Sequence, residues 1–349
     1  MRVLTVAYSL GVVGPRAVGG AEQVPALLDR ALVEAGWESC VVACEGSRVC
    51  GTLCATPAPR GALDQAARRA AIEAHRRAVT RALDRWPADV VHAHGVDFHE
   101  YLPPLGVPLL VTLHLPPAWY PAHALRPNRP ETYLHCVSEA QRRQCAADVR
   151  LLPTIPNGVS LTRLRPGGRK GGYVVALGRI CVEKGYHLAL DAAHRAGVPL
   201  VLAGRVVPFP EHQRYFAEEI RPRLDARRRY VGPVAGARKR RLLAGARALL
   251  VPSLCPETSS LVAMEALACG TPVVAFPAGA LPEIVEHGVT GLVVGDVETM
   301  AEAIGAAAAL EPRDCRAAAR ARFSDERTAS AYLDRYALLA SGRALELAS

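Results

Sequence analysis

Short apolar runs alternate with stretches of helical spacing from one end of this chain to the other, and that alternation limits what it can fold into. Eleven runs read as strands: 3–9, 39–44, 89–94, 109–114, 133–137, 173–177, 200–203, 229–231, 249–252, 273–276 and 291–294. Most are continuously apolar, which marks strands covered on both faces and hence parallel sheets. Stretches such as 23–35, 187–195 and 300–310 carry helical spacing between them, so the pattern predicts βαβ units wound into α/β domains. A chain of 349 residues has room for two. The stretch 151–172 is rich in Pro and Gly and lacks periodicity, so it is expected to join them. The expected division is 1–154 and 155–325, with an alanine-rich helix over 296–322 and a C-terminal helix over 326–349 returning to the first domain.

Composition narrows the partners only slightly. The net charge of +9 is carried almost wholly by arginine, since the only lysines are Lys170, Lys184 and Lys239. Such a balance attracts diphosphates, acidic lipid or nucleic acid alike. The basic runs 68–85 and 221–241 read as solvated faces or as faces for an anionic surface, leaving peripheral membrane contact open. They carry no interleaved aromatics and no nucleic-acid motif, so nucleic acid is not an expected partner. No stretch of about 18 apolar residues suggests a membrane-spanning helix. The first apolar run reads as a strand and not as a signal peptide, which points to the cytoplasm. The ten cysteines lack zinc-ligand spacing and are expected to be reduced core residues, with no metal among them.

Three places carry chemistry. Gly11, Gly14, Gly19 and Gly20 lie between the first strand and the next helix, where backbone N–H groups and the helix dipole favour an anion. A purely structural turn explains these glycines equally well. Gly178-Arg179 follows a strand and Glu183-Lys184-Gly185 precedes a helix. An Arg fork and a Lys point charge so placed can clamp a diphosphate. The strongest signal is PETSSLVAMEALACGTP over 256–272, in which Glu257 and Glu265 are separated by seven residues. Ser259 or Ser260 is expected to cap the helix there, and Gly270 and Pro272 to end it. Carboxylates are good acceptors for sugar hydroxyls, although structural ion pairs are an equal alternative.

With those residues in view, the chain resembles glycosyltransferase family 4, whose fold is GT-B: two facing Rossmann-like, doubly wound parallel-sheet domains. The resemblance rests on Gly19-Gly20, Thr112-Leu113-His114, Pro156-Asn157-Gly158-Val159, the Gly-Arg and Glu-Lys-Gly segment, and E-x7-E running into ALACGTPVVAFPAGALPEIVEHGVTGLVV. It implies retaining transfer of a hexosyl unit from a nucleotide-diphosphate sugar, with UDP-sugar the expected donor. The acceptor would be a hydroxyl of a metabolite, lipid carrier or glycan. Domain 1–154 would lie on the acceptor side, and 155–325 would bind the nucleotide sugar.

The resemblance also implies residue roles. Arg179 and Lys184 would bind the diphosphate, helped by backbone near Gly19-Gly20 and Ser260, Leu261 and Val262. Glu265 would accept from the ribose. Glu257 and His114 would act at the transferred sugar, and the base would rest near Gly204-Arg205 and Val231-Gly232. Cations would stabilise the leaving diphosphate in place of a metal, so no metal or other cofactor is expected. His94 is a lesser candidate. One departure is Ser259-Ser260, where the family has an aromatic-Gly pair. A nucleotide-sugar-binding protein without turnover and a same-fold sugar-nucleotide epimerase remain alternatives.

Overall fold

The computed structural model describes residues 1–15, 17, 19–58, 64–167, 170–207 and 209–343. The chain divides into two units: Met1–Pro156 together with the segment from Thr328 onward, and Asn157–Arg327. Each is a parallel sheet with helices packed against it, so the two α/β domains of a GT-B fold are present.

The first unit has seven strands: β1 Arg2–Val6, β2 Glu38–Cys44, β3 Thr52–Thr56, β4 Val90–Ala93, β5 Leu109–Leu113, β6 Thr132–Cys136 and β7 Leu151–Leu152. Their order is β3-β2-β1-β4-β5-β6-β7. The second has six: β8 Val174–Leu177, β9 Leu200–Ala203, β10 Arg228–Tyr230, β11 Leu249–Val251, β12 Val273–Ala275 and β13 Gly291–Val293. Their order is β10-β9-β8-β11-β12-β13. In each sheet the winding direction reverses once, between β1 and β4 and between β8 and β11. Ligands of doubly wound sheets bind beyond the carboxyl ends of the strands at such a reversal.

Four sequence expectations need correction. Strand β3 (TLCAT) was not expected, because it is short and carries threonine at both ends instead of an apolar run. Strand β7 lies inside the stretch expected to be a linker, where two leucines suffice to pair with β6. The expected helix over 296–322 is broken into Val297–Ala306, a 3₁₀ turn Ala307–Ala309, and Pro312–Arg322. Proline suits the first turn of a helix, where its missing N–H is not needed, so Pro312 starts the second piece. The C-terminal helix runs Asp325–Ala340, and residues 344–349 of the expected helix lie outside the described residues.

That last helix sends Tyr332, Tyr336 and Leu339 into the first unit's core, against Val3, Val90 and Leu110. The two tyrosines also close a buried polar network whose protons can be assigned throughout. His135 Nδ1 lies 3.0 Å from the Cys136 carbonyl, so it carries that ring's proton and leaves Nε2 as an acceptor. Thr112 donates its only proton to that Nε2 at 2.7 Å. The Thr112 oxygen therefore accepts from His92 Nε2–H at 2.7 Å and from the Tyr332 hydroxyl at 3.1 Å. His92 Nδ1 is left to accept from the Tyr336 hydroxyl at 2.7 Å. Every ring in this network is neutral, and burial holds His92 and His135 well below the ordinary imidazole range.

Thr112 is the hub. Thr112→Val keeps its shape but strands the Tyr332 hydroxyl, the His92 N–H and the His135 lone pair in a buried place. At ~1–3 kcal/mol for each stranded group, the expected loss is about 3 kcal/mol or more. Urea unfolding should show a lower midpoint at unchanged slope; an unchanged midpoint would refute the hub role.

Candidate functional site

In the second unit the expected donor residues collect at the carboxyl edge of the sheet, around the reversal between β8 and β11. The chain leaves β8 at Gly178, exposes Arg179 at the tip, and makes a 3₁₀ turn over Val182–Lys184. Gly185 then adopts φ 61°, and a Cβ there would lie 2.2 Å from the Pro252 carbonyl oxygen. Only glycine allows so close an approach in that conformation. The turn is thus pressed onto the segment leaving β11, and Leu254 N–H donates to the Glu183 carbonyl at 2.8 Å.

This contact aims Lys184 at Glu257. Nζ lies 2.6 Å from Glu257 Oε1, with the side chains 22% and 8% exposed. The Ser253 hydroxyl donates to the same carboxylate oxygen. The Glu257 backbone is held from the other side, where Ala280 N–H donates to its carbonyl at 2.8 Å. Gly279, at φ 60°, makes room for this, since a Cβ there would stand 2.5 Å from Glu257 N. The Glu-Lys-Gly and Ala-Gly-Ala motifs, nearly a hundred residues apart, therefore place one ion pair.

The helix Leu261–Ala268 begins beside this pair. Ser260 is its N-cap residue, but neither serine caps it as expected: the Ser260 hydroxyl makes no capping bond. Its ψ of 88° falls short of the extended backbone that turns a capping hydroxyl onto the first turn. Ser259 Oγ is buried and has no hydrogen-bond partner. The N-cap hydroxyl therefore does not cover the first N–H groups of this helix, and a helix start with free N–H groups receives anions.

One turn further on, Glu265 Oε1 lies 2.5 Å from Nζ of Lys239 on the helix Gly236–Gly245. In the sequence Lys239 stands out only as part of the basic run 221–241. Its rarity was the available signal: all three lysines of the chain lie in this unit and each is hydrogen-bonded. The third, Lys170, holds the Ala244 carbonyl at 3.0 Å and Thr271 Oγ1 at 2.5 Å, and burial pushes its ammonium down to about 8. Gly204 and Val231, expected near the base, terminate β9 and β10 at the same edge. Gly204 N–H donates to the Gly232 carbonyl, and Val231 N–H to that of Leu202, both at 3.0 Å.

The remaining residues belong to the first unit. His114 follows β5 and is 7% exposed. Its Nε2 lies 2.9 Å from Nδ1 of His94, which follows β4, with the ring centroids 5.2 Å apart and the ring planes within 18° of each other. Burial holds His114 at about 4, so it is neutral at neutral pH. Gly19 is the N-cap residue of the helix Gly20–Glu34. The carboxylate of Glu22 folds back onto it, and a Cβ at Gly19 would sit 1.9 Å from Glu22 Oε2. An anion approaching Gly19-Gly20 has to displace that carboxylate. Among the described residues no three His, Cys, Asp or Glu side chains gather into a metal site. No described helix is long and apolar enough to cross a membrane.

Comparison with known proteins adds to this geometry. A model described as Glycosyltransferase Family 4 matches residues 18–163, and one described as Glycosyl transferases group 1 matches residues 171–309. A D-inositol 3-phosphate glycosyltransferase of Mycobacterium avium is 32% identical over 274 residues, 66% of this chain and 64% of that protein. The chain thus spans less than two thirds of this relative's length. The crystal structure of AviGT4, a glycosyltransferase involved in avilamycin A biosynthesis, superposes with a TM-score of 0.73 at 28% identity, covering 98% of both chains. Anabaena Alr3699/HepE, crystallised with UDP and glucose, has a TM-score of 0.73 at 19% identity, covering 97% of this chain and 99% of that one. At that identity the likeness speaks for the fold alone.

Proposed function

We propose, from the premise that this chain belongs to the family 4 and group 1 glycosyltransferases, that it moves a hexosyl unit from a UDP-sugar to a hydroxyl acceptor with retention of configuration. The observation that carries the reading is the Lys184–Glu257 pair beside a helix start whose N-cap serine makes no capping bond. Its two ends suit the two halves of a nucleotide sugar. The ammonium, the Arg179 fork and the N–H groups of Ser260, Leu261 and Val262 offer donors to a diphosphate. The Glu257 carboxylate offers acceptors to sugar hydroxyls, and Glu265, steadied by Lys239, offers one to the ribose. Gly204 and Val231 would flank the base. The family resemblance gives His114 a contact with the transferred sugar and Gly19-Gly20 a contact with the phosphates, and both belong to this proposal.

In the step itself, the acceptor oxygen bonds to the anomeric carbon as the carbon–oxygen bond to the diphosphate breaks on the same face. The acceptor's proton passes to the departing diphosphate oxygen. Negative charge grows on that leaving group, so fixed cations and N–H dipoles stabilise the transition state more than the ground state. In this reading they take the part a metal would play, and no cofactor is needed. The choice of UDP follows the family resemblance, and HepE, which shares the fold, was crystallised with UDP and glucose. The acceptor is proposed only as a hydroxyl of a metabolite, lipid carrier or glycan. The exposed arginines of the helix Gln65–Arg85 support contact with an anionic surface. The free thiols favour a reducing, cytoplasmic setting.

Calorimetric titration with UDP, GDP, TDP and ADP in the presence of EDTA tests the reading. UDP should bind tightest, and removing divalent metal should leave its affinity unchanged. If the folded protein binds none of the four, donor binding as proposed is wrong.

A further inference from the structure

We infer that His94 is a positioning residue, which fixes His114 as the tautomer carrying its proton on Nδ1 and holds its ring plane for the contact with the transferred sugar. The inference rests on the assignment of that contact to His114 and goes one residue beyond it. Its starting point is the 2.9 Å separation between His94 Nδ1 and His114 Nε2. Two neutral imidazole nitrogens at that distance share one proton, so one ring donates and the other accepts.

The direction follows from the other nitrogen of His94. Its Nε2 is buried and has no hydrogen-bond partner. Were the His94 proton there, a buried N–H would be left unmade, the rarer and costlier kind of orphan. With the proton on Nδ1 it is used, and only a lone pair stays unpaired. His94 Nδ1–H therefore donates to His114 Nε2, and His114 carries its own proton on Nδ1. His94 is itself held fast: its backbone N–H donates to the Val6 carbonyl at 2.9 Å, and its ring lies 3.9 Å from that of His92. The two ring planes lie within 18° of each other, as suits an in-plane N–H···N bond, which sets the plane as well as the proton. Burial keeps both rings neutral at neutral pH, so neither becomes a two-donor imidazolium that would break the pattern.

The sequence shows why His92 and His94 part company. Being two residues apart on one strand end, they face the same side of the sheet. His92 lies within the strand and joins the Thr112 hub, while His94 lies just past it and meets His114, two residues beyond Thr112. The alternation H-A-H on one strand against T-L-H on the next thus makes two rungs, one structural and one at the sheet edge.

Three variants and one spectrum test this. Long-range nitrogen–proton correlation of the wild-type protein should show His114 protonated on Nδ1. His94→Leu removes the donor, and His114 should then shift toward the Nε2-protonated form. Transfer kcat/KM should fall about tenfold to a hundredfold, the scale of a misplaced contact, with UDP affinity unchanged. His94→Asn places an amide N–H near the position of Nδ1 and should restore most of the activity, which a merely space-filling role would not predict. An Nε2-protonated His114 in the wild type, or full activity in His94→Leu, overturns the inference. Should His94→Leu fail to fold, an inactive but folded His94→Asn likewise overturns it. A fully active His114→Ala removes the sugar contact itself and with it the positioning role, whereas the wild-type spectrum judges the proton assignment separately.

Discussion

Lys184→Ala should lower kcat/KM for hexosyl transfer by about 10²–10³, the usual cost of losing one preorganised group that stabilises developing charge. A second effect accompanies it and has to be separated. Lys184 is the cation on Glu257, whose side chain is 8% exposed. Removing the lysine leaves that carboxylate buried, with the Ser253 hydroxyl still donating to it but no cation beside it among the described residues. Breaking one half of a buried pair costs about 3–5 kcal/mol, and Lys184's partial exposure places this case at about 2–4 kcal/mol. The double variant Lys184→Met with Glu257→Gln removes both charges and should recover most of that stability. It should recover none of the transfer, because the diphosphate still lacks its cation and the sugar its carboxylate. Denaturation midpoints and initial rates on the three proteins make the comparison. If activity returned along with stability in the double variant, the pair would be a structural strut and its catalytic reading would fail.

The first unit should lose stability steeply in mild acid. His75, His92, His94, His99, His114 and His135 are all held below the ordinary imidazole range, chiefly by burial, with His75 and His114 at about 4. In the unfolded chain these rings take up a proton near pH ~6.5. Between there and about 4 the unfolded chain binds more protons than the folded one, so stability falls as pH falls. Stability from these groups is fully present above about 6.5, and His75 and His114 each contribute a slope of up to about 1.4 kcal/mol per pH unit inside the window. Asp97, whose carboxyl burial pushes upward, opposes the trend as a single group against six.

The chain offers a selective probe. Its three tryptophans, Trp37, Trp86 and Trp119, all lie in the first unit. Urea unfolding followed by tryptophan fluorescence at steps from about pH 7 to about 4.5 should show the midpoint dropping throughout. A midpoint that stays flat over that range would mean the buried rings are charged in the folded protein, contradicting the proton pattern around Thr112.

How much of this could be read from the sequence depends on the range over which each feature is decided. Continuous apolar runs, set by burial on both faces, gave the parallel strands and their alternation with helices. The same local logic set Arg179, Lys184 and Glu257 just past strand ends, and Glu265 on the following helix. It failed where the local signal was thin. Two leucines in a Pro-rich stretch make β7, and a threonine-flanked run makes β3. Capping serines were expected from residue type alone, yet the backbone at Ser260 does not present its hydroxyl to the helix.

By itself, then, the sequence determined the fold class and which residues stand at the sheet edge, because periodicity, glycine turns and strand ends are settled within about ten residues. Only the tertiary structure decided who pairs with whom. Lys184 meets Glu257 because the glycine turn at 185 presses one loop onto another. Lys239 meets Glu265 because two helices on one face of the sheet lie side by side. His92 meets Tyr336, 244 residues away, because the last helix docks on the first unit's core. Such meetings depend on topology and side-chain direction together, and neither is written in the spacing of residues along the chain.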